Sequence, residues 1–266
     1  MQNNFSFDRY SSLVIHTPHA GTMRPIWYAS RPESHYFLNL YAWPLFRVLT
    51  DFATDRLFAA DMSLAAGTRD GQTYCYEHYI THVSFPISRL FCDVERLKDD
   101  PLNKKGLGIR YDLYNLSGKH NIPSCFTNEQ IMSLYNMHHL ILTQAITRGS
   151  LLLDCHSFSE QDNVLCPNAH EYKDVDICLG FNEDSTKPSQ ETIDKVTDFF
   201  RQRSYRVAFN SPFSNSMTVH TNKSYHSLMI EVNKHCYMNE DTLEITAGYY
   251  KLHAELQQLY QLLLNN

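Results

Sequence analysis

Short apolar runs, separated by polar and turn-forming stretches, set the first picture of this chain. Ser12-Leu-Val-Ile-His16 is a compact apolar run that enters a Pro-Gly loop. Leu151–Leu153, Asp176–Leu179, Tyr205–Phe209 and Leu228–Val232 have the same character, and each reads as a short buried β-strand. Ser88–Val94 is expected to form a further strand. Between these runs the period lengthens. Leu40–Phe58 has a largely helical pattern despite Pro44. Asn128–Arg148 carries Ile131, Leu134, Tyr135, Leu142 and Ala145 at helical spacing, with Gly149 as its C′ stop. Ser189 can cap a helix reaching about Arg203, and Asp241–Leu264 reads as an amphipathic helix. Lys98–Thr127 has proline, glycine and asparagine but little periodicity, and is expected to be a long loop region. Strands alternating with helices predict an α/β fold: one domain over residues 1–266, with a central mixed β-sheet flanked by helices. No repeat, low-complexity tract or Pro/Gly/Ser-rich linker divides it.

Composition narrows the function classes. Of 266 residues, 43% are hydrophobic and 20% charged, enough apolar material for a substantial core. With 23 Lys+Arg against 29 Asp+Glu the formal net charge is −6, which argues against a nucleic-acid partner. No apolar run is long enough to cross a membrane, and the polar N-terminus does not read as a signal peptide. Seven cysteines stand singly, at Cys75, Cys92, Cys125, Cys155, Cys166, Cys178 and Cys236, with no Cys-x-x-Cys pair. That spacing points to reduced thiols and a cytoplasmic location.

The chemistry gathers at the ends of the predicted strands, where α/β folds place their sites. After the first strand comes His16-Thr-Pro-His19-Ala-Gly21, and after Phe91 comes Asp93-Val-Glu95-Arg96. The Leu151 strand leads to Asp154-Cys-His156-Ser157, and the Met229 strand carries Glu231 and then Asn233. Two histidines and a carboxylate on separate segments can hold zinc and leave a position open for water. A further carboxylate can accept a proton, and an arginine can stabilise an oxyanion or grip a carboxylate. Glu231, inside an apolar strand, is costly unless it is paired or functional. Asp154 either caps a turn or orients His156. Adjacent His138 and His139 point in different directions on a helix and read as packing or hydrogen-bonding residues rather than a ligand pair.

Seven segments, in order from about Ile15 to Met238, resemble the N-formylglutamate amidohydrolase family. Pro18-His19-Ala-Gly21 is similar to the family's Pro-His-Ser-Gly loop, and Asp51-Phe-Ala-Thr-Asp55-Arg-Leu-Phe58 to its helix signature. Ser88-Arg89 through Asp93-Val-Glu95-Arg96 resembles its Ser-Arg … Asp-x-Asn-Arg segment, and Asp154-Cys-His156-Ser157 its Asp-x-His-Ser motif. Asp176–Asn182, Asn210-Ser-Pro-Phe213 and Glu231 … Tyr237-Met238 resemble the segments that follow.

The resemblance implies a phosphorylase/hydrolase-like fold, as in zinc carboxypeptidases. It also implies a zinc-dependent amidohydrolase acting on a small N-acyl amino acid, with N-formyl-L-glutamate as the namesake substrate. It puts metal ligation on His19, Asp51 and His156, with His16 as the reserve to Asp51. Glu231 becomes the general base for the zinc-bound water. Arg89 polarises the scissile carbonyl or binds substrate, Arg96 binds the substrate carboxylate, and Asn210 also binds substrate. The family's asparagine before the arginine is Glu95 here, its loop serine is Ala20, and the loop around Ser214–Ser216 also departs from the pattern. These departures bear on the substrate more than on the hydrolytic chemistry. A carboxypeptidase-like or deacylase activity on a peptide or modified amino acid is the alternative within enzymes. A non-catalytic binding protein of the same fold is the alternative outside them.

Overall fold

Two period-two stripes on the central strands determine the architecture. The computed structural model describes residues 10–23, 43–61, 67–69, 72–74, 79–112 and 127–265. The strands are β1 (Ser12–Thr17), β2 (Gly67–Arg69), β3 (Gln72–Tyr74), β4 (Ile80–Ser84), β5 (Ser150–Phe158), β6 (Ile177–Gly180), β7 (Val207–Phe209), β8 (Tyr225–Asn233), β9 (Met238–Asn239) and β10 (Glu244–Ile245). The helices are α1 (Trp43–Leu49), α2 (Thr54–Leu57), α3 (Asn128–Ala145), α4 (Gln190–Arg201) and α5 (Ala247–Leu264).

Six strands form one mixed sheet in the order β4-β1-β5-β8-β6-β7, while β2-β3 and β9-β10 pair as small separate ribbons. Neighbours from β4 to β8 run parallel, β6 runs antiparallel to β8, and β7 is parallel to β6. The expected mixed sheet flanked by helices is therefore present. β5 and β8 are buried at all nine of their positions. Along β1, β5 and β8, alternate residues (Leu13, Ile15, Leu151, Leu153, Cys155, Leu228, Ile230, Val232) enter one large core with Val196, Phe200, Leu252, Leu256 and Tyr260 from α4 and α5. The intervening residues face the other way. Near the strand starts they are apolar, and Val14, Leu152 and Tyr225 pack with Leu142 of α3. Toward the strand ends they become His16, Asp154, His156 and Glu231.

Capping explains where several helices begin. Thr127 and Gln130 form a reciprocal capping box at the start of α3, and the Ser189 hydroxyl accepts from Thr192 N at α4. Helix α3 stops at Ala145, three residues before the predicted end. Gly149 instead takes a left-handed φ of 83° in the turn that leads into β5. The predicted helix over Leu40–Phe58 is divided into α1 and α2 by residues 50–53, where Ala53 has a φ of 62°. Its first residues, 40–42, lie outside the described residues, as do 113–126 of the predicted loop, Cys75 and Cys125.

Two predictions need correction. Ser88–Val94 is not a strand but a run of tight turns, with Phe91 N donating to Ser88 O and Leu90 N to Ser88 Oγ; β4 occupies the sheet edge instead. Its apolar residues are buried, which produced the strand-like pattern, but its backbone is satisfied locally. The C-terminal helix begins at Ala247 rather than Asp241, because residues 238–245 are used by the β9–β10 ribbon. Among the described residues no helix is long and apolar enough to cross a membrane. Cys92 and Cys155 are free and buried, packed as apolar residues.

At the start of β6, Asp176 receives a two-pronged grip from Arg206, with Nε and Nη2 at 2.9 and 2.7 Å, and a further bond from His235 Nε2 at 2.9 Å. Burial alone would raise the Asp176 carboxyl, but the Arg206 and His235 bonds outweigh it and hold it down at about 2. The folded value lies below the ordinary one, so this contribution to stability is present above about pH 4 and lost as the pH falls through about 2. Asp176→Asn is expected to lower the urea midpoint at neutral pH, with the gap to wild type closing between about pH 4 and about pH 2. Leu256→Ala, in the α5 seam of the large core, is expected to cost about 2–5 kcal/mol in the same measurement at neutral pH.

Candidate active site

The in-register pairing of β1, β5 and β8 brings the predicted residues together. His16 is paired with Asp154, and His156 with Glu231, so all four side chains emerge on one face of adjacent strands. His19 follows β1 in the loop, and its carbonyl accepts from Asp51 N at 3.1 Å. His19, Asp51, Arg89, His156 and Glu231 are all buried, and they line one cavity of about 490 Å³ with Glu95 and Arg96.

The two histidines present opposite nitrogens to opposite partners. Asp51 Oδ2 lies 3.2 Å from His156 Nδ1 and 3.8 Å from His19 Nδ1. On the other side, His19 Nε2 donates to Asp93 Oδ1 at 2.9 Å, and His156 Nε2 has Asp154 Oδ1 at 3.2 Å. Glu95 also approaches this side, at 3.1 Å from His156 Nε2 and 3.6 Å from His19 Nε2. A tetrahedral ion with bonds of about 2 Å separates its donor atoms by roughly 3.3 Å, a spacing that Asp51 Oδ2 meets with His156 Nδ1 and approaches with His19 Nδ1. Asp93 behind His19 Nε2 is the kind of partner a metal-bound histidine needs, while Asp154 and Glu95 stand close to His156 Nε2 without a hydrogen bond to it. His19 Nδ1 is buried without a hydrogen-bond partner, an orphan on the side where a cation would sit. His19, Glu95 and His156 also have ligand atoms within 4.8 Å of one another. An ion on that side would compete with Asp93 for His19 Nε2, whereas His156 Nε2 there is buried without a hydrogen-bond partner, so each side offers one orphan nitrogen.

Electrostatics favour a positive charge beside His156 without selecting one side of it. Burial lowers the His19 imidazole, and Arg89 adds to this against the pull of Asp93. Burial opposes the charged form of His156 too, but Glu95, Asp154 and Asp51 outweigh it and raise that imidazole well above its ordinary value. The carboxylates around His156 call for a positive charge. Burial also raises the Glu231 carboxyl to about 8; His156 opposes this, and Asp51 and Glu95 add to it. Glu231 Oε2 has no hydrogen-bond partner.

Several positioning residues were not distinguished by sequence reasoning. Asp93, fully buried, takes His19 Nε2 on one oxygen and Arg89 Nη2 (2.8 Å) and the Tyr111 hydroxyl (2.7 Å) on the other. Its place in the Asp-x-Glu-Arg run was a signal, though without a role attached. Lys234, also buried, donates from Nζ to Val48 O at 2.9 Å and so ties down the carbonyl end of α1 just before Asp51. The Tyr237 hydroxyl donates to Phe52 O at 2.9 Å and meets Ser157 Oγ at 3.0 Å. The segment that follows Glu231 therefore clamps the Asp51 loop.

Other predicted residues lie elsewhere. His16 is 0% exposed and uses both nitrogens, Nδ1 with Asp154 Oδ1 and Nε2 with His138 Nε2, each at 2.9 Å. It therefore supports Asp154 rather than facing Asp51. His139 Nε2 donates to Val94 O at 2.7 Å. Asn210 does not line the cavity; its Oδ1 accepts from Phe181 N and Asn215 N, both at 3.1 Å, and so shapes the turn beneath the cavity loop.

Comparison with known proteins agrees with this architecture. No match was found among curated proteins. Among solved structures, the N-formylglutamate amidohydrolase from Ralstonia eutropha JMP134 superposes with a TM-score of 0.68 at 20% identity, covering 98% of this chain and 95% of that one. The gene product Atu2144 from Agrobacterium tumefaciens gives 0.56 at 17% identity, covering 96% and 91%. At these identities the superpositions speak for the fold. The profile of the N-formylglutamate amidohydrolases matches residues 11–238, most of the chain. This chain belongs to the N-formylglutamate amidohydrolase family, hydrolases of amide bonds.

Proposed function

We propose that this protein is a zinc-dependent amidohydrolase that cleaves the amide bond of a small N-acyl amino acid, releasing an acid and an amine. The observation that carries this reading is the placement of Asp51 Oδ2 at 3.2 and 3.8 Å from the Nδ1 atoms of His156 and His19, with carboxylates behind both Nε2 atoms. His19, Asp51 and His156 would hold the ion. When bound, zinc supplies the Lewis acidity that makes water a competent nucleophile at neutral pH.

The chain's own groups do the rest. Glu231, on the strand neighbouring His156, accepts a proton from the attacking water and returns it to the leaving nitrogen. Arg89 is fixed by Asp93, Tyr111 and Leu49 O, so it presents a preorganised positive charge at the cavity wall, where the acyl oxygen gains negative charge. Arg96 is held loosely, with Nε 3.5 Å from Asp93 and Nη1 3.9 Å from Asp100, and is available to a substrate carboxylate. Phe158, Phe213 and Met229 give the cavity wall an apolar part beside these groups.

Zinc affinity and hydrolysis test separate parts of this reading. His19→Ala and His156→Ala are expected to lose stoichiometric zinc in chelator competition followed by metal analysis, and Asp93→Asn to weaken zinc about 10–100-fold. Full zinc occupancy in either alanine variant would sink the ligand assignment. Glu231→Gln is expected to retain zinc and fold while kcat falls about 10²–10⁴-fold on a cleaved N-acyl amino acid. Wild-type turnover in that variant would remove Glu231 from its role.

A further inference from the structure

The cavity contains more carboxylate than guanidinium. Asp51, Glu95, Asp100 and Glu231 line it, against Arg89 and Arg96. Arg89 is committed to three protein partners and, on the reading above, to the acyl oxygen. Arg96 is the remaining guanidinium. Its two ion-pair contacts are long, and its Nε is buried without a hydrogen-bond partner. One substrate carboxylate can therefore be met by an opposite charge.

A second carboxylate would meet Glu95. The Glu95 backbone is fixed by a bond from its N–H to Asp93 Oδ1 at 3.1 Å. Its side chain, 20% exposed, extends over the Nε2 atoms of both histidines. Among the described residues no lysine or arginine forms an ion pair with it. An anion brought beside this carboxylate, in a partly desolvated cavity, is strongly repelled. The rest of the wall is divided: Leu49, Leu97, Leu102 and Leu165, with Phe213 and Met229, supply an apolar part, and serines, asparagines and Thr218 supply the remainder.

We propose that Glu95 makes this site selective for N-acyl amino acids with one carboxylate and an uncharged, apolar side chain, and turns it away from dicarboxylates such as N-formylglutamate. Arg96 takes the single carboxylate, the leucine-rich wall takes the side chain, and Glu95 supplies the repulsion that discriminates against a competitor of similar size. The proposal rests on the amidohydrolase reading above, because it concerns which amide that machinery accepts.

The test compares N-formyl-L-leucine with N-formyl-L-glutamate, using zinc-loaded wild type and Glu95→Gln, with zinc content measured in both proteins. Wild type is expected to favour the leucine compound in kcat/KM by at least about tenfold, and Glu95→Gln to reduce that leucine-to-glutamate ratio by at least about tenfold. A wild-type preference for the glutamate compound, or an unchanged ratio in the variant, overturns the proposal. If neither compound is cleaved, the hydrolase reading fails on its own. Calorimetric binding of N-acetyl-L-leucine and N-acetyl-L-glutamate to the same two proteins then decides the selectivity. Tighter wild-type binding of the leucine compound, lost in the variant, supports it. Tighter binding of the glutamate compound, or no binding of either, overturns it.

Discussion

The parallel register of β1, β5 and β8 is the constraint on which everything else in this molecule rests. Because side chains alternate along a strand, pairing His16 with Asp154 and His156 with Glu231 places four ionisable groups on one face and a continuous apolar stripe on the other. A slip of one residue would send Leu153 and Cys155 into the cavity and drive Asp154 and His156 into the core beneath α4 and α5. The hydrophobic stripe therefore enforces the geometry of the candidate site. The free energy that selects the register comes from Leu, Ile and Val on the far side of the sheet, and the polar groups follow.

A buried cluster of charge is tolerated here because most of its members are partnered, with Glu231 the exception. Asp93 at the centre binds His19, Arg89 and Tyr111, and Asp154 binds His16 and accepts from Met217 N at 2.8 Å. Such networks cost desolvation and repay it only with good geometry, so their main product is a fixed arrangement rather than stability. Five buried side-chain atoms remain unpartnered among the described residues, and four of them, on His19, Arg96, His156 and Glu231, belong to cavity-lining residues.

Much of this was legible in the sequence, for a physical reason. Buried parallel strands read as short apolar runs, and chemistry at their ends interrupts those runs with His or acid, so Asp154, His156 and Glu231 stood out. Asp51 was marked by family motif alone, and spacing gave no hint that the backbone of His19 holds it in place. What stayed hidden was tertiary. Ser88–Val94 has the apolar content of a strand, yet its backbone bonds turn inward. The structural roles of Lys234 and Tyr237 depend on α1 and the Asp51 loop, about 185 residues away in sequence. The His16–His138 pair likewise arises only when α3 packs over β1. Long-range pairing of polar groups leaves no local period to read.

The division of labour between the two faces of the sheet has an evolutionary consequence. The large core sealed by α4 and α5 contains none of the groups that line the cavity. Loops on the cavity side can therefore exchange residues without drawing on the stability reserve of the domain, and substitutions there are filtered by turnover rather than by folding. A scaffold of this kind is free to explore new substrates while its backbone stays put. Retention of the fold at identities of 17–20% is what such a separation permits.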